Sequence, residues 1–464
     1  MGRMGEIHAV MFPYFAFGHI SPFIQLSNKL SLDGVKISFL TAPGNVGRIK
    51  SSFLVSPNIQ IIPLHIPLVQ GLPHDIHNTS QMTPAMHELL KQALDLMQPQ
   101  IQALLSDLNP HFVFFDFFQC WLPKLCSQLG IKAVCFSVFS AISGAYLTVP
   151  ARLVGVETEE PTVEDLKKPP CGFPETSVTC LKAFQARDLT YVFKSFDGGP
   201  AVYYRAIDSL SNCSLIVIKT CNEMERPYVD FMKAQFQKPV LLSGPLTPEP
   251  PSGVLDEKWA NFLAQHPPKS VVFCSFGSET FLQDDQLKEL ATGLELTGLP
   301  FFLVLNFPGG VEAQAELDRV LPKGFMEAIK GRGVVHIGWV QQQLILAHQS
   351  VGCYVCHSGF SSIVEALMND CQLVLLPIKG DQFLNSKLVA GDLKAAVEVS
   401  RRDEDGYFSR EDIKEAIETV MVDVEKEPGM SIRENHMKWK EFLLNAEMQG
   451  KFISDLVEEM KAML

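Results

Sequence analysis

Residues 339–382 have the sequence WVQQQLILAHQSVGCYVCHSGFSSIVEALMNDCQLVLLPIKGDQ. Within it, an apolar run at 351–355 is followed by a Ser- and Gly-rich turn at 357–362 and by apolar residues at helical spacing over 363–368. A strand that leads through a turn into a helix is the repeating unit of parallel α/β sheets. The stretch therefore predicts an α/β fold.

The start of the predicted helix is suited to binding phosphate. The first turn of a helix has unpaired backbone N–H groups and the positive end of the helix dipole. His357, Ser361 and Ser362 add side-chain donors there. A second predicted strand at 373–378 leads to residues 380–382, and ligands of open α/β sheets bind at the carboxyl ends of strands. We therefore expect a nucleotide diphosphate here, held without a metal.

Single residues of this stretch have structural explanations as well. Glu365 stands three residues after Ser362, so the pair could form a capping box that stabilises the helix whatever it binds. A lone Trp such as Trp339 is usually a core residue, and a lone His such as His357 is usually a satisfied structural group. Only the joint spacing of these residues favours a binding function.

The stretch resembles the signature box of the plant UDP-sugar-dependent glycosyltransferases of family 1, which modify small secondary metabolites. That box begins with Trp, ends with Gln and has the 44-residue length found here. The residues at the family's positions are Trp339, Gln342, His348, Ser350, Val351, Gly352, His357, Gly359, Ser362, Glu365, Pro377, Asp381 and Gln382. The resemblance implies the GT-B architecture, with two facing Rossmann-like domains that have parallel sheets.

The resemblance also implies how a UDP-sugar is held. Trp339, followed by Val340, would stack on uracil, and Gln342 would meet the base or the ribose. Glu365 would accept hydrogen bonds from the ribose hydroxyls. These roles fit a flat indole and a carboxylate acceptor.

For the rest of the donor, the resemblance implies donors to the phosphates and polar groups for the sugar. His357 and Ser362 would hold the phosphates, together with Ser278 in a turn after the predicted strand 270–276. Asp381 and Gln382 would bind hydroxyls of the donor sugar. The UDP-sugar is a substrate, and no metal or other cofactor is expected.

Three positions depart from the commonest family pattern and bear on the substrates. Ser358 replaces Cys, Phe360 replaces Trp and Ser361 replaces Asn. The last two, with Gly359, are expected beside the phosphates and the sugar. The Phe-Ser-Ser variant, with Asn-Asp-Cys at 369–371, resembles the branch that extends a sugar already attached to a flavonoid or anthocyanin. We expect such a phenolic glycoside as the acceptor; the alternative is transfer to a hydroxyl of the aglycone itself.

The first part of the chain supplies a candidate general base. An apolar run at 8–14 predicts the first strand, and Ser21 followed by Pro22 predicts the start of the next helix. His19, preceded by Gly18, would lie just before this helix. The positive helix end disfavours an imidazolium, so the ring would stay able to accept a proton.

Asp116 lies in the apolar run 112–118, where an acid needs a partner. The resemblance implies that the partner is the catalytic His19, which would deprotonate the acceptor hydroxyl in an inverting transfer. The alternative is that Asp116 caps the following helix. Ser140 resembles a hydroxyl residue near the outer carbon of the donor sugar in the family.

Strand and helix patterns alternate along both halves and predict a doubly wound parallel sheet in each. The predicted strands are 8–14, 35–41, 59–66, 111–117, 132–139, 214–220, 270–276, 301–306, 333–337, 351–355 and 373–378, with a helical stretch at 84–108. The Pro-rich segment 246–253 is a linker, and the irregular segment 150–197 is expected outside the sheet, beside the acceptor. The predicted domains are 1–245 for the acceptor, 246–256 as linker, 257–444 for the UDP-sugar and 445–464 as a helix that returns to the first domain.

Composition excludes several classes of function. A net charge of −13 without a Lys/Arg cluster argues against nucleic acid as a partner. The N-terminus shows no signal peptide, and the least polar segment, 133–149, is too short and mixed to cross a bilayer. The 11 scattered Cys suit reduced thiols. We therefore expect a cytoplasmic monomer that does not insert stably into membranes.

Other motifs are weaker. His74 and His77 have no evident third metal ligand, Cys353 and Cys356 have CxxC spacing inside a predicted strand, and 403–405 is an acidic triplet that fits a solvated run. A dinucleotide oxidoreductase would need GxGxxG directly after a strand, which the chain lacks. A sensor that binds a nucleotide sugar without catalysis is the other alternative, but it would not need His19 and Asp116.

Overall fold

The computed structural model describes residues 7–74, 76–79, 82, 84–156, 160–196, 199–251, 253–278, 280–307 and 311–464. Several sequence predictions fall partly outside these residues: the N-terminal segment 1–6, position 75 between the two His residues, positions 157–159 and 197 of the irregular segment, and position 252 of the linker.

The apolar runs of the first half form one parallel sheet. Its strands in the described residues are β1 (His8–Phe12), β2 (Lys36–Thr41), β3 (Ile59–Pro63), β4 (Phe112–Phe115), β5 (Lys132–Ser137), β6 (Leu215–Ile218) and β7 (Val240–Leu242). Their order is β3-β2-β1-β4-β5-β6-β7. The order reverses between β1 and β4, and a crevice opens there at the carboxyl ends of the strands.

A second parallel sheet repeats this arrangement. Its described strands are β8 (Val271–Ser275), β9 (Phe301–Leu305), β10 (Gly333–Ile337), β11 (Val351–Cys356), β12 (Gln372–Leu375) and β13 (Ala396–Glu398). Their order is β10-β9-β8-β11-β12-β13, so the reversal lies between β8 and β11. The predicted α/β fold with two parallel sheets is confirmed.

Helices cover both faces of the sheets, because alternate residues of β1, such as Val10 and Met11, lie in different apolar cores. The helices of the described residues are α1 (Phe17–Leu32), α2 (Pro43–Ile49), α3 (Pro84–Leu96), α4 (Gln98–Leu108), α5 (Leu122–Gln128), α6 (Ala141–Leu147), α7 (Val163–Lys167), α8 (Ala183–Leu189), α9 (Val202–Asn212), α10 (Asn222–Phe236), α11 (Glu257–Ala264), α12 (Asp284–Leu296), α13 (Ala313–Val320), α14 (Phe325–Ala328), α15 (Gln342–Leu346), α16 (Phe360–Leu367), α17 (Gln382–Ser386), α18 (Arg410–Met421), α19 (Gly429–Leu444) and α20 (Ala446–Ala462). Short 3₁₀ helices lie at Lys50–Ser52, Pro150–Leu153 and Thr190–Phe193, and a π-helical turn lies at Lys387–Asp392.

The predicted start of the first helix is wrong. The carbonyl of Ala16 accepts hydrogen bonds from the N–H groups of His19 (2.9 Å) and Ile20 (2.8 Å), so α1 begins at Phe17. Pro22 then lies in the second turn, where its missing N–H removes one helical hydrogen bond without preventing the turn that Ala16 closes. His19 is therefore part of the first helical turn rather than of the loop before it.

Other boundaries differ for local reasons. The predicted helix at 84–108 is two helices that meet at Met97, because Pro99 has no N–H to continue the first. Helix α16 begins at Phe360, earlier than the turn at 357–362 predicted. Strands β7 and β13 are three residues each, too short to produce an apolar pattern.

The last helix lies on the first sheet. Ile453, Leu456, Val457 and Met460 of α20 are buried in the apolar core that contains Met11 and other residues of the first sheet. Leu464, which follows α20, is exposed. The predicted domain boundaries stay predictions. In the described part of the chain, no helix combines the length and apolar character that a membrane span requires.

We expect Leu456→Ala to destabilise the protein far more than Leu464→Ala. Leu456 is 2% exposed and Leu464 is 59% exposed. Loss of a buried leucine side chain costs about 2–5 kcal/mol, whereas the same change at the surface alters stability by about 0.5 kcal/mol or less. Urea unfolding of both variants would measure the difference, and equal losses would contradict the docking of α20.

Candidate active site between the two sheets

His19 and Asp116 come together at the crevice of the first sheet. Asp116 directly follows β4, and His19 lies in the first turn of α1, which follows the neighbouring β1. The Nδ1 atom of His19 donates to Oδ2 of Asp116 at 2.5 Å, and Asp116 is 1% exposed. Asp116 does not cap α5, which begins only at Leu122, so the capping alternative is wrong. The hydrogen bond from Nδ1 to the carboxylate fixes the orientation of the imidazole.

Aromatic rings surround this pair. The ring of His19 meets those of Tyr14 and Phe139 edge to face, with centroids 5.5 Å and 5.3 Å away, and that of Phe118 at 5.9 Å. Phe117 stacks beside Phe118 at 4.1 Å. Flat apolar walls of this kind suit a planar aromatic ligand. Sequence analysis did not single out these rings, although Tyr14 precedes His19, Phe117 and Phe118 follow Asp116, and Phe139 precedes Ser140.

In the second sheet, the strand order reverses between β8 and β11, and the start of helix α16 lies at this reversal. β11 leads through Ser358, which has a left-handed φ of 66°, into α16. The N-cap of α16 is Gly359, and no side chain of the described residues caps it. The first-turn N–H groups therefore face the crevice without a side-chain acceptor, as phosphate binding requires.

His357 packs tightly in this turn. A Cβ atom at Gly359 would lie 2.6 Å from Nε2 of His357, and one at Gly277 would lie 3.1 Å from it, so both positions need glycine. Burial lowers the pKa of His357 to about 4, and the charge of Lys379 acts in the same direction. The imidazole is therefore neutral near pH 7 and can donate one hydrogen bond to a phosphate.

Glu365 is held by two amides. Its carboxylate accepts from Nε2 of Gln342 at 2.8 Å and from Nε2 of Gln343 at 3.1 Å. The amide oxygen of Gln342 accepts in turn from Ser275 at 2.9 Å and from Tyr354 at 3.0 Å. Gln342 thus orients Glu365. Sequence analysis did not identify Gln343 as the second donor to this carboxylate.

The capping-box alternative for this helix is wrong. Ser362 lies inside α16 rather than at its N-cap, and the carboxylate of Glu365 bonds to the glutamine amides. Trp339 follows β10 and is 77% exposed, with its indole open for stacking. The side chain of Val340 is buried in the core, and Ser278 is exposed in the loop after β8.

Asp381 is tied to the first sheet through Asn385. Nδ2 of Asn385 donates to Oδ2 of Asp381 at 2.9 Å and to the carbonyl of Ser358 at 3.0 Å. Its Oδ1 accepts from Oγ of Ser140 at 2.6 Å. Burial raises the pKa of Asp381, while the hydrogen bond from Asn385 and the charge of His19 oppose this rise. Asn385 lies one helical turn after Asp381, and its spacing was the signal that sequence analysis overlooked.

The side chains of Ser140 and Gln382 form hydrogen bonds with neighbouring residues. Ser140 is fully buried, and its hydroxyl bonds to Asn385 and to Ser143. Oε1 of Gln382 accepts from the N–H groups of Ile378 (3.0 Å) and Lys379 (3.1 Å), which fixes the loop after β12.

The segment between α6 and α9 closes one side of the crevice. Asp188, at the end of α8, accepts from the N–H of Gly380 at 2.7 Å. Asp403 of the acidic triplet accepts from the N–H of Ala183, and Arg187 donates to the carbonyl of Glu404 at 2.8 Å. Residues 403–405 are exposed, as predicted for a solvated run. The triplet also contributes to this contact between the halves of the chain.

Burial of the CxxC pair disfavours the thiolate form that redox exchange needs. Cys353 and Cys356 are buried in β11, and burial raises the pKa of both thiols, that of Cys356 to about 12. Among the described residues, no three His, Cys, Asp or Glu side chains lie close enough together to hold a metal ion.

Residues 205–439 match the family model described as UDP-glucoronosyl and UDP-glucosyl transferase. The chain is 62% identical to anthocyanidin-3-O-glucoside rhamnosyltransferase of Petunia hybrida, over 98% of this chain and 96% of that protein. It is 39% identical to anthocyanidin 3-O-glucoside 2''-O-glucosyltransferase of Ipomoea nil, over 98% of both chains.

Solved structures show the same fold at low sequence identity. Arabidopsis thaliana UGT89C1 complexed with UDP-L-rhamnose matches with a TM-score of 0.74 and 22% identity, over 99% of this chain and 100% of that one. Glycyrrhiza uralensis UGT73P12 complexed with glycyrrhetinic acid 3-O-monoglucuronide matches with a TM-score of 0.78 and 21% identity, over 99% and 96%.

The two parallel sheets and the crevice between them thus have the GT-B fold of these solved structures. The chain belongs to the plant UDP-glycosyltransferase family. The family, the fold class and the enzyme class predicted from the sequence are confirmed.

We expect His357 to titrate near pH 4 in the free protein, well below an ordinary histidine, because its burial disfavours the imidazolium. UDP should raise this pKa, since a phosphate favours the charged ring. NMR of labelled histidine, with His357→Asn to assign the resonance, would measure both values. An ordinary midpoint near 6.5 in the free protein would contradict the partly buried, neutral ring.

Proposed function

We propose that this enzyme transfers a sugar from a UDP-sugar to a sugar hydroxyl of a flavonoid or anthocyanin glycoside, with inversion at the anomeric carbon. The observation that carries the proposal is the His19–Asp116 pair, which lies among aromatic rings at the edge of the first sheet. The charge of His19 reaches Asp381 at the edge of the second sheet. Direct transfer of a sugar from donor to acceptor needs a base beside the acceptor and a phosphate-binding site on the opposite side.

The chemistry is a single displacement. The oxygen of the acceptor hydroxyl attacks the anomeric carbon from the face opposite UDP, while Nε2 of His19 takes its proton. The bond from that carbon to the phosphate oxygen breaks, and UDP leaves with the bonding electrons. Asp116, hydrogen-bonded to Nδ1, stabilises the imidazolium that forms.

The donor is placed by residues at the edge of the second sheet. We assign uracil stacking to Trp339 and the ribose hydroxyls to Glu365, with Gln342 supporting Glu365. His357 and the first-turn N–H groups of α16 would hold the phosphates and stabilise the charge on the departing UDP.

Further contacts complete the donor site. Ser278 and Ser362 add hydroxyl donors to the phosphates, and Asp381 and Gln382 bind hydroxyls of the sugar. The proposal gives no role to a metal ion. We also propose that the enzyme is a monomer in the cytoplasm.

The acceptor class rests on the relatives and on the aromatic walls. The Petunia and Ipomoea relatives are named for reactions on anthocyanidin 3-O-glucosides. If the flat ring system of such a glycoside lies against the rings of Tyr14, Phe118 and Phe139, its attached sugar can reach His19. The alternative acceptor is the aglycone itself, whose own hydroxyl would then take the place of the sugar hydroxyl.

The substrate proposal predicts a selective product pattern. Purified enzyme would be mixed with UDP-glucose, UDP-xylose or UDP-rhamnose and with either free flavonoids and anthocyanidins or their 3-O-glucosides. We expect one sugar to be added to the glucosides only, detected by mass spectrometry with fragmentation. Addition to the free aglycones alone would contradict sugar extension and favour the alternative.

We expect His19→Ala to lower kcat by about 10²-fold to 10⁴-fold, because the base is lost, while the affinity for UDP changes little. Asp116→Asn should also lower kcat, since the amide no longer stabilises the imidazolium. Steady-state kinetics and calorimetric titration with UDP would measure the two effects separately. Full turnover by His19→Ala would rule out its role as the base.

A further inference from the structure

Lys219 is a buried cation at the edge of the first sheet. It is the first residue after β6, and 1% of it is exposed. Its Nζ atom donates to Oγ of Ser361 at 2.6 Å and lies 5.8 Å from the centre of the Phe360 ring. Both of these residues belong to the first turn of α16, so Lys219 reaches across the crevice to the expected phosphate site.

The charge of Lys219 is not balanced by an acid. An ammonium has three N–H donors, and among the described residues its hydrogen bond goes to Ser361 and no carboxylate forms an ion pair with it. Burial lowers the pKa of Lys219 to about 8, although the charge of Glu365 opposes this. The cation still predominates near pH 7, and a buried charge without a counter-ion is strongly unfavourable.

The surroundings of the ammonium are positive as well. The first turn of α16 presents N–H groups and the positive end of the helix dipole. Glu365 is the acid whose charge reaches Lys219, but its oxygens already accept from Gln342 and Gln343. Two positive groups that meet at one point form a site for an anion.

We propose that Lys219 binds the diphosphate of the donor from the side of the first sheet, next to Ser361. The inference rests on the proposed UDP-sugar function and adds a charged residue to the phosphate site. UDP would then hold the two sheet edges together. The same cation would stabilise the negative charge that develops on the leaving phosphate when the bond to the anomeric carbon breaks.

The test compares UDP with uridine, which has the same base and ribose but no phosphate. Calorimetry would measure both affinities in the wild type, Lys219→Met and Lys219→Arg. Lys238→Met is a matched control, because the ammonium of Lys238 donates to the carbonyls of Ser211 and Cys213 at the opposite end of β6.

We expect Lys219→Met to weaken UDP binding by about 10-fold to 100-fold and to leave uridine binding unchanged. Lys219→Arg should retain most of the UDP affinity, and Lys238→Met all of it. Because Met removes an uncompensated buried charge, the melting temperature of free Lys219→Met should equal or exceed that of the free wild type. Addition of UDP should raise the melting temperature of the variant less than that of the wild type.

Two results would overturn the proposal. If Lys219→Met changed UDP and uridine binding equally, or left both unchanged, Lys219 would be a structural contact between the sheets. A lower melting temperature of the free variant, with UDP affinity intact, would lead to the same conclusion. If the wild type bound uridine and UDP equally weakly, the UDP-sugar function itself would fail, and this inference with it.

Discussion

The side-chain amide of Asn385 fixes the edges of the two sheets relative to each other, and the arrangement of the site depends on this contact. Its oxygen accepts from Ser140 on the first sheet, and its nitrogen donates to Asp381 and to the backbone of Ser358 on the second. All the groups are at least partly buried, so a missing partner would leave a polar atom unsatisfied at a cost of about 1–3 kcal/mol. One buried amide therefore fixes the loop before α16, the loop after β12 and the start of α6 relative to one another.

With the edges fixed, the proposed base and the phosphate-binding groups lie on opposite sides of one crevice. The first sheet provides His19, whose orientation Asp116 sets, beside aromatic rings. The second sheet provides a helix start and a neutral His357, neither of which needs a counter-ion before the donor arrives. The proposed base and the proposed leaving-group site thus lie on separate sheets and are brought together by packing between the halves of the chain. This is electrostatic preorganisation, in which the donors are in place before charge develops.

The sequence predicted what is local, and it missed what depends on distant contacts. Long apolar runs predicted the strands well, because both faces of a parallel sheet are buried and no polar alternation interrupts them. The short strands β7 and β13 carry no such pattern. The Ser21-Pro22 pair looked like a helix start because a cap signal is read from neighbours only, whereas Ala16 closes the turn earlier. Asn385 joins Ser140 across 245 positions and Lys219 joins Ser361 across 142, and no periodicity in the chain encodes such pairs.

The central claim is that a hydroxyl activated by His19 attacks the anomeric carbon directly, on the face opposite UDP. The most direct measurement is NMR of the purified product, which gives the anomeric configuration of the new glycosidic bond for comparison with that of the UDP-sugar supplied. A single displacement predicts that the configuration is inverted. A product that retains the configuration of the donor would require a second displacement, and it would contradict this account of the site.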